Sequence, residues 1–359
     1  MTLDHLSLAQ FRSWPRLDLD LDARPLAIFG PNGAGKTNIL EALSLLSPGR
    51  GLRGASPAEQ ARQGPDAGWR IRARLGRHDV ETAAPPGETR SVTIDDKPVP
   101  QVALGRLARL IWLTPAMDRL WTDAPDTRRR FLDRVTLSFV PGHADDALAY
   151  DKAMRERNRL LRDQVGDARW YHALESQMAQ AGAAITRSRQ QAIARIMAAQ
   201  AGAETAFPAA RLVLLPGEGS ADDPDADSIA RRLAATRGRD MAAGRSLTGP
   251  HRADLGASWG PQDMPAALSS TGEQKALLLS LMLANARALA DDRPILLLDE
   301  VAAHLDADRR RALHDEITAL PAQVFMTGTG RDLFDTLDGR ARFVEVRRED
   351  GASRAVTED

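Results

Sequence analysis

Gly30-Pro31-Asn32-Gly33-Ala34-Gly35-Lys36-Thr37 matches the phosphate-binding loop G-x-x-x-x-G-K-[ST] at every fixed position. Its glycines let successive backbone N–H groups turn inward around a phosphate chain. Lys36 has the reach for the β- and γ-phosphates, and the Thr37 hydroxyl is a ligand for Mg²⁺. The flanks agree. Leu26-Ala27-Ile28-Phe29 is a short apolar run that predicts a buried strand. After Thr37, the residues Ile39, Leu40, Ala42, Leu43 and Leu46 recur at helical spacing, so the loop opens a helix whose N-terminus faces the anion. Gly30 through Thr37, with Asn38 behind them, are the expected nucleotide-binding residues, and ATP with Mg²⁺ is the expected ligand.

A second element must supply carboxylates to such a site. Ile295-Leu296-Leu297-Leu298 predicts a buried strand that ends in Asp299-Glu300. At the end of a strand beside the phosphate loop, Asp299 holds Mg²⁺ directly or through water, and Glu300 orients or deprotonates the attacking water. Catalysis is therefore assigned to Glu300 and Lys36, and the metal to Thr37 and Asp299. Lys36 and Asp299 lie 263 positions apart (299 − 36). A compact phosphate-loop domain does not need that distance, so an insertion is expected between them.

The pattern along the chain shows where it falls. Thr2–Phe11 and Leu17–Leu21 alternate apolar and polar residues around Ser13-Trp14-Pro15, which predicts two strands joined by a turn. Arg50-Gly51-Leu52-Arg53-Gly54 is a loop. Trp69, Ile71, Ala73 and Leu75 alternate with Arg70, Arg72 and Arg74, and Val80–Ala83 and Ser91–Asp95 also read as strands of a small antiparallel sheet. Ile111-Trp112-Leu113 is one more buried strand. From about Asp123 the texture turns helical: Asp126–Phe139, Asp145–Gln164, and Asp167–Ala201, the last roughly 50 Å long if unbroken. Ser220–Asp227 reads as an acidic loop and Ile229–Arg237 as a further helix. The α/β texture returns near Thr248, with helices over Glu273–Leu289 and Arg309–Leu320 and strands over Val324–Thr327 and Arg342–Arg347. The expectation is an α/β phosphate-loop ATPase head, a mixed sheet with an antiparallel β subdomain, built from residues 1–122 and 246–359 around an inserted all-helical lobe at 123–245.

Composition sets outer limits. The chain has 359 residues with 43% hydrophobic content, enough for a substantial core. It has no cysteine, which excludes disulfides and thiolate metal sites and fits a reducing compartment. Met1–Leu8 lacks the basic start and apolar core of a signal peptide, and no apolar run reaches the roughly 20 residues that span a bilayer. A cytoplasmic protein with no membrane partner is expected. Net charge is −1, so any nucleic-acid contact must come from positive charge gathered on one surface. The seven histidines show no metal-ligand spacing.

Ser269-Ser270-Thr271-Gly272-Glu273-Gln274-Lys275 precedes the helix that leads to Asp299, and it resembles the signature segment of ABC ATPases, usually written LSGGQ. A serine hydroxyl and N–H groups at a helix start make an anion site; the same residues also read as an ordinary N-cap with a capping acid. His304-Leu305-Asp306 resembles the D-loop of that superfamily. The resemblance implies that Ser270, Thr271, Gly272 and Glu273 of one copy complete the nucleotide site of another, and that Asp306 is the D-loop residue. Nucleotide binding and homodimerisation would then be linked free energies. Two departures point to slow hydrolysis: Thr271 stands where the first glycine is usual, and Thr327-Gly328-Thr329 stands where many ABC ATPases place a switch histidine.

The chain as a whole resembles the RecF family of bacterial recombination-repair ATPases. Gly30–Glu41 reads GPNGAGKTNILE. Pro115 and Asp118 followed by Arg128-Arg129-Arg130-Phe131-Leu132-Asp133 look like that family's P-x-x-D…RR-x-FLD segment. Tyr150 with Arg157-Asn158-Arg159-Leu160-Leu161 is similar to its Y-x-x-x-x-x-x-R-N-x-L-L helix, and Gly249-Pro250-His251-Arg252 to its GPHR element. The resemblance implies a head like those of SMC proteins, with a short helical lobe in place of coiled-coil arms. It also implies ATP-dependent binding to duplex DNA and to gapped or single-strand junctions, cooperation with RecO and RecR to load RecA, and hydrolysis that dissolves the dimer. DNA binding needs cations that face phosphates. The expected positions are Arg50, Arg53, Arg70, Arg72 and Arg74, with Arg155, Arg157 and Arg159 on the lobe. A transporter ATPase subunit shares the phosphate loop and signature but normally lacks a large helical insertion. An anti-phage ATPase often appends a nuclease, for which no room remains after Val346.

Overall fold

The computed structural model describes residues 1–63, 68–217, 225–260 and 262–358, and of His304 the backbone. Packing divides the chain into two compact units. One comprises Met1–Asp118, Gly202–Pro208 and Leu278–Asp359, the other Arg119–Ala201 and Ala209–Leu277.

In the first unit, β1 (Leu3–Phe11) and β2 (Trp14–Asp20) form a hairpin. Its turn holds Arg12 at φ 53°, a left-handed conformation that a side chain adopts only under constraint. The constraint is visible: the Arg12 guanidinium donates to both carboxylate oxygens of fully buried Glu41, at 2.9 and 2.6 Å. β3 (Leu26–Phe29) is buried on both faces and runs into the loop before α1 (Lys36–Ser44). The one-turn α2 (Pro57–Gln60) opens with a capping box between Ser56 and Glu59.

β4 (Trp69–Leu75), β5 (His78–Ala84), β6 (Ser91–Ile94) and β7 (Lys97–Pro98) join the first hairpin in an antiparallel sheet of order β2-β1-β4-β5-β6-β7. Along β4 the apolar residues point inward and Arg70, Arg72 and Arg74 outward. Arg90 closes the far end of α1. Its buried guanidinium donates to Thr82 Oγ1 and to the carbonyls of Leu45, Ser47 and Gly49, and burial lowers its pKa to about 10. The short α3 (Leu104–Leu107) leads to β8 (Leu110–Leu113).

The second unit contains α4 (Pro125–Phe139), α5 (His143–Arg162) and α6 (Ala168–Ala201). Tyr150, Ala153, Met178, Ala181, Ile185 and Leu233 form its apolar core. The expectation of an all-helical lobe needs correction, because β9 (Ala210–Leu215) lies within it. Residues 218–224 are outside the described part of the chain, so most of the expected acidic loop is too. Its last residues instead start α7 (Ala226–Ala235), capped by Asp225. The single helix expected at Ile229–Arg237 is in fact two, α7 and α8 (Arg237–Ala243), with Thr236 between them. β10 (Asp254–Trp259) and β11 (Met264–Pro265) complete a small antiparallel sheet of order β11-β10-β9. The long α9 (Thr271–Ala288) follows.

Back in the first unit, β12 (Ile295–Leu298), α10 (Ala307–Ala319), β13 (Gln323–Gly328), β14 (Arg342–Glu349) and β15 (Ala352–Glu358) finish the chain. The second sheet has the order β15-β14-β3-β13-β12-β8, parallel except for the terminal hairpin. β15 was not anticipated from the pattern, although its turn carries a signal: Asp350 and Gly351 both have positive φ, 49° and 76°, as a two-residue type I′ hairpin requires. Among the described residues, no helix is long and apolar enough to cross a membrane.

Candidate nucleotide-binding site

Parallel strands carry their loops to a common edge, and the strand order decides which loops meet. β13 lies between β3 and β12. Gly328 is paired with Phe29, and Leu298 with Met326. The phosphate loop and Asp299-Glu300 therefore leave the sheet at one edge, with Thr327 between them. The Thr37 hydroxyl donates to Asp299 Oδ1 at 2.8 Å, across 262 residues of sequence. Thr327 donates to the same oxygen at 2.8 Å and accepts the Glu300 N–H at 2.9 Å. Glu300 sits at φ 54° and turns the chain into a short 3₁₀ segment.

The loop backbone has little room to change. A Cβ on Gly30, which has φ 147°, would stand 2.1 Å from the Val346 carbonyl oxygen. On Gly35, at φ 111°, it would meet Ser353 Oγ at 2.3 Å and Ser13 Oγ at 2.7 Å. α1 has no acidic residue in its first turn, so nothing in that turn offsets the positive end of its dipole. Lys36 Nζ donates to the carbonyls of Gly30 and Pro31 at 2.8 and 3.0 Å. Burial pushes the Lys36 pKa below its ordinary value, and the carboxylates of Glu300 and Asp299 pull the other way. A hydroxyl and a carboxylate oxygen at the loop mouth are the hard oxygen donors that Mg²⁺ prefers, so Thr37 and Asp299 fit the ion. Asn38 is already committed: its Nδ2 donates to Ser13 Oγ at 2.8 Å, and its Oδ1 accepts from Arg53 at 2.9 Å.

The signature residues lie in the second unit. Ser270, Thr271 and Gly272 are exposed, and a Cβ on Gly272 would meet nothing within 4 Å. Ser270 forms a capping box with Glu273. Its N–H and hydroxyl both donate to Glu273 Oε2 at 2.8 Å, and its Oγ accepts the Glu273 N–H at 3.4 Å. Exposed Asp306 caps α10 by accepting the Arg309 N–H at 2.8 Å.

The arginines fare unequally. Arg50 and Arg53 are exposed, Arg53 paired with Glu41 at 3.1 Å. Arg70 and Arg72 share Glu81 at 3.4 and 2.7 Å, and Arg74 pairs with Asp79 at 3.1 Å, all on the exposed face of β4. Arg155 and Arg159 are exposed. Arg157 is not a DNA contact, because it is 0% exposed. It donates to Glu175 at 3.1 Å, Asp240 and Ser246 Oγ at 2.8 Å, and the Leu233 carbonyl at 3.0 Å. Its charge holds α5, α6, α7 and α8 together. The histidine of the GPHR element is structural too. His251 Nε2 meets the Ser246 carbonyl at 3.1 Å, so Nδ1 accepts from the Tyr150 hydroxyl at 2.8 Å, and burial lowers the His251 pKa to about 4.

A phosphate-loop motif and a strand-end carboxylate pair at one edge of this mixed sheet define the fold of an ATPase head of the ABC and SMC type. Comparison with known proteins agrees. Residues 5–93 match the family model described as an AAA domain. The chain is 46% identical to the DNA replication and repair protein RecF of Caulobacter vibrioides, over 95% of each chain. To the RecF of Mesorhizobium japonicum it is 45% identical, over 99% of this chain and 98% of the relative. The chain belongs to the RecF family. Among solved structures, the recombination mediator protein RecF with ATP superposes at a TM-score of 0.82, with 20% identity and 99% of both chains covered. The Smc head domain of Pyrococcus furiosus superposes at 0.58, with 16% identity and coverage of 99% and 96%. At these identities the superpositions speak to the fold.

Proposed function

We propose that this protein is an ATP-gated DNA-binding protein of recombinational repair, whose two copies close over two shared nucleotides. The observation that carries the reading is the Thr37–Asp299 contact at 2.8 Å, with Glu300 held behind it by Thr327. Bound Mg²⁺ would neutralise charge on the β- and γ-phosphates. Thr37 and Asp299 are the residues that would hold it there. Lys36 trades the Gly30 and Pro31 carbonyls for phosphate oxygens, and Glu300 orients the attacking water. Ser270, Thr271 and Gly272 are exposed at the start of α9, where a second copy's γ-phosphate can be met. The Ser270 hydroxyl then leaves Glu273 for the phosphate, and exposed Asp306 faces the partner.

Family membership supports a role in DNA repair, and the similar solved RecF structures are described as belonging to a RecFOR pathway; RecO and RecR are the proposed partners, in loading RecA. Duplex DNA and its gapped or single-strand junctions are the proposed targets. The protein would work in the cytoplasm at the nucleoid, with slow hydrolysis ending each binding event. Arg50, Arg53, Arg70, Arg72 and Arg74 are proposed phosphate contacts, each exchanging any carboxylate partner for DNA.

Sedimentation of Glu300→Gln with and without ATP-Mg²⁺ tests the dimer, and titration of gapped duplex across salt concentrations tests the DNA grip. A doubling of mass with ATP, and an affinity that rises with ATP and falls with salt, are expected. One mass under both conditions at micromolar protein refutes the closure. Affinity indifferent to ATP refutes the gating.

A further inference from the structure

A loop that offers its N–H groups to an anion must turn its carbonyls into the protein, where each buried oxygen needs a donor. The buried Gly30 carbonyl takes Lys36 Nζ at 2.8 Å, and the part-buried Gly35 carbonyl takes Trp14 Nε1 at 3.1 Å. Exposed Pro31 and Gly33 are also met, Pro31 by Lys36 Nζ and the Ala34 N–H and Gly33 by Arg348 at 3.3 Å. The Ala34 carbonyl takes the hydroxyl of Ser353, on β15, at 2.5 Å across 319 residues. Ala34 is 1% and Ser353 2% exposed, so water is poorly placed to substitute.

The proton direction along this contact is fixed. Asn38 Nδ2 can only donate, and it donates to Ser13 Oγ. Ser13 Oγ and Ser353 Oγ are 2.6 Å apart. A carbonyl cannot donate, so the single Ser353 proton goes to Ala34, and the Ser13 proton goes to Ser353. The Ser353 N–H also donates to the Ser13 carbonyl at 2.8 Å, which ties the terminal hairpin to the first one. The two hydroxyls occupy the space a Cβ on Gly35 would need.

We propose that Ser353 is a positioning residue of the nucleotide site. With Ser13 behind it, Ser353 anchors the Ala34 carbonyl into the protein and so keeps the Gly35 N–H of the same peptide aimed at the phosphate chain. This rests on reading the loop as a nucleotide site. Ser353 acts through the backbone, and that backbone grips ground state and transition state alike. The effect therefore falls on affinity and not on turnover.

The test uses the full chain as wild type, Ser353→Ala, Ser13→Ala, the double variant and Lys36→Ala. A fluorescent ATP analogue with Mg²⁺ reports Kd, and phosphate release reports KM and kcat. Ser353→Ala is expected to raise Kd and KM about five- to tenfold, as an orphaned buried carbonyl does, with kcat within about twofold of wild type. Ser13→Ala should give a smaller loss, and the double variant less than the product of the two, as for members of one relay. Wild-type affinity in Ser353→Ala overturns the proposal, as does a loss confined to kcat. If Ser353→Ala does not fold, Ser13→Ala decides alone, and wild-type affinity there overturns it. Equal binding by wild type and Lys36→Ala overturns the nucleotide reading itself, and the positioning role with it.

Discussion

Replacing Thr327 by valine probes how the carboxylate pair is held. Thr327 is 0% exposed, and valine keeps its shape while removing the hydroxyl. Two bonds go with it, the one donated to Asp299 Oδ1 at 2.8 Å and the one accepted from the Glu300 N–H at 2.9 Å. Asp299 keeps Thr37 as a donor, so the metal position should survive. The Glu300 N–H is part-buried and loses its Thr327 partner, at a cost toward the lower end of the about 1–3 kcal/mol for an orphaned donor. Glu300 also sits at φ 54°, a conformation that costs a side-chain residue on the order of 1 kcal/mol and relaxes when its restraint is lost. A displacement near 1 Å at the reacting centre can lower the rate about 100-fold. Thr327→Val is therefore expected to bind ATP within about threefold of wild type, to release phosphate roughly 30- to 100-fold more slowly, and to melt a few degrees lower, at about 2–4 °C per kcal/mol. Thr327→Ser keeps the hydroxyl and should hold the rate within about fivefold. Titration of a nucleotide analogue, a phosphate-release assay and calorimetry read the three quantities. Phosphate release within twofold of wild type in Thr327→Val would refute the reasoning.

Three further outcomes are expected. Arg157→Ala leaves the buried Asp240 carboxylate without its arginine, while Glu175 keeps only Arg237, a loss of about 3 kcal/mol measurable by urea titration; unchanged stability with weakened DNA binding would restore Arg157 as a DNA contact. His251 is held neutral, its pKa lowered from 6.5 to about 4, so its contribution is complete above pH 6.5 and is lost as pH falls toward 4. From pH 7 to pH 5 that loss is about 2 kcal/mol, and His251→Asn should remove that part of the pH dependence in denaturant titrations. Gly30→Ala drives a Cβ into the Val346 carbonyl and should abolish detectable ATP binding, whereas Gly33→Ala, with open space but φ 77°, costs only on the order of 1 kcal/mol; equal affinities in the two variants would contradict the steric account.

Much of the candidate site is legible in the sequence because its pieces are local. The octapeptide at Gly30 and the acids after Leu298 are each set by backbone conformations within a few residues of one another, as is the separate Ser270–Glu273 pair. The helical insertion could be inferred from the long gap between Lys36 and Asp299. The arginines are less legible. Arg155, Arg157 and Arg159 look equivalent along the chain, yet at helical spacing Arg157 turns toward Glu175 and Asp240 while its neighbours face outward. β15 has no legible pattern because its seven residues, apart from Ser353, are exposed or half-buried and do not alternate apolar with polar, so only the Asp350-Gly351 turn signals it.

What the sequence determined by itself is the chemistry available: a loop able to wrap phosphate, two carboxylates at a strand end, and a capped helix start. Those depend on residue type and near-neighbour spacing. What the tertiary structure decided is which groups share an atom. Asp299 meets Thr37 and Thr327, and Ser353 meets Ala34, only because β13 pairs between β3 and β12 and the terminal hairpin pairs beside β3. Strand order is set by the burial of whole faces at once, and no stretch of chain encodes it alone.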